Sequence, residues 1–234
     1  MKLIDKQHRE IVFLKVDRIR SGVIGFATSC KFRSYPWREK QRSPYEILIA
    51  EVTLKRTTAT AASRMYEGFL SKFGNIYALN RAAEDEIAAS LARIGLHNQR
   101  AKALKNLAAH LVEHSAGKVP LGLSELLEVP GIGDYTARAV QSFGHGIPAA
   151  IVDSNVERII RRVFLESFGT SLGSRQLQEV ADMILPQEQH RSYNFGLLDI
   201  GALVCKPLRP DCSNCPLISV CDYAQESTAE RSGC

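Results

Sequence analysis

The chain has 234 residues, 45% of them apolar, enough for one large domain or two small lobes with cores of their own. Charges interrupt its apolar runs too often for a membrane span, and the charged N-terminus lacks a signal-peptide pattern, so a cytoplasmic protein is expected. A formal net charge of +5 suits a polyanion partner without demanding one.

Residues 5–20 mix charge with Ile11, Val12, Leu14, Val16 and Ile19, the pattern of an amphipathic helix that residues 21–25 end or interrupt. Tyr35-Pro36-Trp37-Arg38 reads as a surface connection with an aromatic anchor. Pro44 then opens a helix over 45–65, since proline loses nothing in a first turn. Further helices are expected at about 65–72, 76–79, 84–94, 99–115 and 121–128, then 134–143, 155–168, 175–185 and 193–204. No segment alternates like a strand, so the class is all-α.

The stretch around Pro130-Gly131-Ile132-Gly133 joins two of these helices by a tight turn. Gly131 and Gly133 are expected to take backbone angles that side chains forbid and to leave amide N–H groups at a helix N-terminus, a seat for phosphate. Thr136 and Ala137 are small enough for close helix approach, although an ordinary helix–turn–helix link would look similar. Downstream, the apolar run 149–152 delivers a carboxylate, Asp153, with Asn155 behind it. As structure alone, Asp153 is a good N-cap for the helix that follows, and Asn155 is an equal candidate for capping.

Cys205, Cys212, Cys215 and Cys221 form a C-x6-C-x2-C-x5-C loop, while Cys30 and Cys234 stand apart. Without a secretory pattern such a cluster points to metal rather than disulfides. Four thiolates there can hold zinc or an iron–sulfur cluster, and spacing alone leaves the choice open. Lys206 and Arg209 place cations on the same loop, suited to phosphate or simply solvated.

Together, V-P-G-I-G-D-Y-T-A, V-D-S-N-V-x-R and the cysteine loop resemble the endonuclease III superfamily of helix-hairpin-helix DNA glycosylases with a 4Fe-4S cluster. The resemblance covers roughly residues 35–223. Within that superfamily, P-W-R, S-P-Y-E-I-L-I-A-E-V-T-L-K-R-T-T and I-G-L-H-N-Q-R-A are most similar to archaeal thymine–DNA mismatch glycosylases, with the adenine-removing MutY group next. It implies a six-helix lobe at 43–147 and a discontinuous lobe of 1–42 with 148–234, the cluster loop lying at 205–221. DNA would be gripped across the cleft between them, by a monomer.

Residue by residue, the resemblance makes Asp153 the acid that stabilises positive charge on the sugar, with Asn155 arranging it. Tyr135 stands where strand-cutting members carry a lysine, so base release without lyase chemistry is implied; Lys102, Lys105 and the α-amine are the amines left for slow cleavage. Glu51, set among apolar residues, is expected to have a raised pKa and to donate to, or orient, the departing base, unless it merely pairs with Arg38 or Lys55. Arg56, and Leu96 or His97, fall where relatives fill the gap left by an extruded nucleotide, with Gln99 and Arg100 supporting the same loop, unless Lys55 and Arg56 merely contact phosphates.

The implied substrate is double-stranded DNA bearing thymine, and by extension uracil, opposite guanine. L-K-R-T-T departs from the glutamine-rich MutY pattern, and the chain closes too soon after Cys221 for the further domain by which MutY enzymes read oxidised guanine. Adenine removal is the alternative, and a non-catalytic DNA-binding iron–sulfur protein the second.

Overall fold

The computed structural model describes residues 4–29, 33–39, 42–169 and 172–225; Cys30 and Cys234 lie outside them. Every regular element among the described residues is helical. Contacts group the chain into two compact units, Met1–Arg33 with Pro148–Cys234, and Ser34–Ile147.

The first unit begins with α1 (Lys6–Ala27), capped by Asp5, whose side chain accepts from the His8 amide. The sequence reading ended this helix near Gly22, yet it runs on through Gly25. Gly22 is a point of close approach rather than a break: a Cβ there would lie 2.6 Å from the Pro216 carbonyl oxygen. Val12, Val16, Ile19, Val23 and Phe26 form one buried stripe, each side chain contributing roughly 1.5–3 kcal/mol.

In the second unit, α2 (Pro44–Leu54) starts with a full capping box between Ser43 and Glu46, with Pro44 in the first turn. Residues from Tyr45 to Thr53 are buried almost all round, so α2 is the unit's central helix. It does not continue to residue 65 as its apolar pattern implied. Arg56 takes φ 55°, and α3 (Ala59–Lys72) restarts behind a Thr58 cap. Arg100, described below, takes up carbonyls left open at this break. Next come α4 (Ile76–Arg81), α5 (Glu84–Leu91) and α6 (His97–Ser115), which packs on α4 and α5. α7 (Leu123–Glu128) and α8 (Asp134–Ala139) form the hairpin, and α8 runs into a π-helical turn at Val140–His145 that packs on α2.

Residues 34–42 were assigned from sequence to the other lobe, but their described part packs here. Trp37 is buried, stacked on Tyr35 at 5.0 Å and edge-on to Tyr66 at 5.6 Å. The aromatic anchor expected at Trp37 is thus present, and it draws its segment into the second unit.

The first unit resumes with α9 (Ser154–Val163), α10 (Leu165–Phe168), α11 (Ser174–Ile184) and α12 (His190–Leu203), then the cysteine loop. α1, α9, α11 and α12 share one core that includes Val156, Ile160, Val180, Leu197 and Ile200, and Cys205, Cys212 and Cys215 pack against its edge.

Candidate active site

In the second unit the site is built on the end of α2. Glu51 is buried at 7% exposure, held by the central helix rather than by a loop. One turn on, the Lys55 ammonium donates to the Gly131 carbonyl at 2.6 Å. Partial desolvation lowers the Lys55 pKa, and the charge of Glu51 works in the opposite direction. The lysine expected at a phosphate is therefore also a strut between α2 and the hairpin turn.

That turn has the form of type II: Pro130 in second place, Gly131 at φ 82°, and the Ile132 amide donating to the Val129 carbonyl at 3.1 Å. Only Gly131 needs glycine for its backbone angle. Gly133 lies at φ −101°, ψ 178°, an extended conformation open to any residue, so the expectation that both take forbidden angles holds for one. Gly133 acts as the N-cap of α8, with both glycines exposed and no Cβ to screen the amides beyond. Thr136 and Ala137 are buried, as close packing of the hairpin requires. Tyr135, half-buried, is the second residue of α8.

Beside the hairpin, a cavity of ≈ 200 Å³ is lined by Lys55, Arg56, Leu96, Gln99, Arg100 and Gly131, among others. Arg56 and Leu96 both have left-handed backbones, φ 55° and φ 51°. Such angles in residues other than glycine store strain that the surroundings must hold. Leu96 is 45% exposed, and His97 and Gln99 open α6 on the surface. Lys105 is committed elsewhere, its ammonium donating to the Asn80 and Ala82 carbonyls at the end of α4.

In the first unit Asp153 is the N-cap of α9. Its Oδ1 accepts from the Asn155 amide at 2.9 Å and the Val156 amide at 2.8 Å, and its Oδ2 accepts from Asn155 Nδ2 at 2.8 Å. Asn155 is not a cap; its side chain is a bridge, its Oδ1 accepting from Arg158 Nη2 at 2.9 Å. Arg158 in turn donates to the carbonyls of Gly201, at 2.7 Å, and Cys205, at 2.8 Å. The carboxylate is thereby tied through two side chains, Asn155 and Arg158, to the backbone of the first cysteine of the loop, and sequence reasoning missed the Arg158 link.

The four cysteines line a small hollow of ≈ 20 Å³, with Val204, Pro210, Ile218, Tyr223 and Ala224 as its apolar shell. Arg162, also missed, braces it: Nη1 donates to Cys205 Sγ at 3.2 Å and to the Lys206 carbonyl at 2.8 Å, and Nη2 to the Pro207 carbonyl at 2.8 Å. Burial pushes the Cys215 thiol up and the Cys221 thiol up to about 11, so a bound cation is what would draw them to the thiolate form. Among the described residues no three His, Cys, Asp or Glu side chains converge on one ion. Four thiols around one hollow, with an apolar shell behind and a cationic brace beside, are a donor set suited to a thiolate-bound metal centre. Lys206 and Arg209 project from the same loop as exposed cations.

The family of HhH-GPD superfamily base excision DNA repair proteins matches residues 49–196. The chain is 37% identical to a thymine/uracil-DNA glycosylase of Methanothermobacter thermautotrophicus, over 83% of this chain and 88% of that protein. It is 34% identical to an adenine DNA glycosylase of Buchnera aphidicola, over 81% of this chain but 54% of that protein. Among solved structures, a thermostable thymine-DNA glycosylase superposes with a TM-score of 0.85 at 34% identity, covering 93% of this chain and 98% of that one.

Proposed function

Because the chain belongs to the HhH-GPD superfamily of base excision DNA repair proteins, we propose that it is a monofunctional glycosylase that releases thymine, and uracil, mispaired with guanine. The observation that carries the substrate is the 37% identity, across most of both chains, to a protein named for thymine and uracil. Adenine is the competing base, supported by buried Glu51 and by the adenine-glycosylase relative.

In this reading Asp153 faces the sugar. Cleaving an N-glycosidic bond builds positive charge on the ring, and a carboxylate already oriented by three N–H donors needs no rearrangement to stabilise it. Glu51, fixed on α2, orients the base or a water. Thymine and uracil leave as anions helped by hydrogen bonds to their carbonyls, so no strong acid at the base is needed. Arg56 and Leu96 fill the gap in the stack, the guanidinium suited to guanine's acceptor edge. The amides behind Gly131 and Gly133, with Lys206 and Arg209, hold backbone phosphates.

Tyr135 has no amine to attack the sugar, and the Lys105 ammonium is occupied. Incubation with end-labelled duplexes holding G·T, G·U, A·G or A·8-oxoguanine should give alkali-labile sites in the first two alone, with little borohydride-trapped adduct. Product only from adenine pairs would move the assignment to adenine removal. Product from none would refute the enzyme, and efficient trapping would refute monofunctional chemistry.

Cys205, Cys212, Cys215 and Cys221 would hold a 4Fe-4S cluster, whose contribution is to brace the loop carrying Lys206 and Arg209. Purified protein should be brown and contain iron, with the colour lost in the Cys212→Ser variant. Colourless protein with bound zinc would overturn the cluster.

A further inference from the structure

Arg100 is 6% exposed, and its whole guanidinium fork is spent on the end of α2 and on two loops. Nε donates to the Gly95 carbonyl at 3.1 Å. Nη1 donates to the carbonyls of Val52 and Thr53 at 3.0 and 3.1 Å. Nη2 donates to the Lys55 carbonyl at 2.5 Å and to Thr57 Oγ1 at 2.6 Å. The Thr57 hydroxyl in turn donates to the Ile94 carbonyl at 3.2 Å, so the loops are also joined directly.

These acceptors flank the two strained residues. Lys55 and Thr57 stand on either side of Arg56, and Gly95 immediately precedes Leu96. A helix end such as that of α2 leaves carbonyls without partners, and a cation there is favoured by the helix dipole as well. Here one buried cation satisfies that end and at once fixes a second loop, with Arg56 and Leu96 lining the same cavity. A lysine could bring the charge but not the planar fork.

We propose that Arg100 is the positioning residue that sets Arg56 and Leu96 as a matched pair, so that DNA meets both gap-filling side chains already in place. Thr57 is its partner in this. The proposal rests on the assignment of Arg56 and Leu96 to the gap left by the extruded nucleotide. Its consequence is that base extrusion, rather than DNA binding, depends on a side chain that touches no DNA.

The test uses the full-length protein and a G·T duplex with 2-aminopurine beside the mismatch, whose fluorescence rises on unstacking. Arg100→Lys and the milder Thr57→Val are compared with Arg56→Ala and Leu96→Ala, each checked for a cooperative melt. Arg100→Lys and Thr57→Val should bind the duplex within about threefold of wild type, and all four variants should lose most of the fluorescence rise and excise thymine about tenfold more slowly in single turnover. If Arg100→Lys unfolds, Thr57→Val decides alone. Folded Arg100→Lys and Thr57→Val with a wild-type fluorescence rise, while Arg56→Ala and Leu96→Ala lose it, would overturn the proposal alone. Full signal in Arg56→Ala and Leu96→Ala would overturn the gap assignment and the proposal together. Wild-type protein without signal or excision would overturn the enzymatic reading beneath both.

Discussion

Asp153→Asn should slow single-turnover release of thymine by roughly a thousandfold, ~4 kcal/mol of barrier, while DNA affinity and melting temperature stay close to wild type. The two halves of that result separate the two jobs of the residue. As an N-cap, Asp153 accepts from the Asn155 and Val156 amides, and asparagine caps as well as aspartate does. As a carboxylate it offers charge to the sugar, and asparagine has none. Asp153→Ser keeps a capping oxygen with no carboxylate and should be equally inactive. Asp153→Ala removes both and should add a loss of about 1 kcal/mol in stability. The set is read by quenched excision assays, fluorescence anisotropy with G·T duplex and thermal melts. Inactivity that tracked the melting temperature, rather than the charge, would reduce Asp153 to a cap.

Much of this arrangement was legible in the residues because it is local. The Asp153 cap, the Pro44 helix start, the hairpin glycines and the cysteine spacing each depend on neighbours a few positions away. What could not be read depends on acceptors far along the chain. Arg100 bonds to carbonyls 45 to 48 residues earlier, at Lys55, Thr53 and Val52, and no pattern in α2 announces that its end will be capped by a guanidinium. For the same reason the apolar pattern of 45–65 suggested one helix where a left-handed Arg56 divides two. One signal was present: Arg100 falls in phase with Leu104, Leu107 and Leu111, the buried stripe of α6. An arginine on a core stripe has to find acceptors inside, and the question of which ones would have pointed to the loop. Gly22 misled in the opposite direction, since a glycine that admits a neighbouring chain looks in sequence like one that ends a helix.

Gly201→Ala should both destabilise the protein and slow excision about 30- to 100-fold, although alanine is the better helix former by about 1 kcal/mol. Gly201 lies inside α12, and a Cβ built there would stand 2.5 Å from Asn155 Cβ and 3.3 Å from its Cα. Neither atom is the free end of a side chain, so relief requires the start of α9 to shift. That start carries Asp153, and the Gly201 carbonyl also receives Arg158, which holds the Asn155 amide oxygen. One methyl group therefore presses on the support of the carboxylate from two directions. Overpacking of this kind costs about 1–3 kcal/mol, enough to outweigh the gain in propensity. Gly68→Ala is the control: that glycine is also inside a helix, α3, but a Cβ there would meet nothing within 4 Å. It should melt slightly higher and excise normally. A Gly201→Ala protein that behaved like Gly68→Ala, more stable and fully active, would show that Asn155 and Arg158 do not position Asp153.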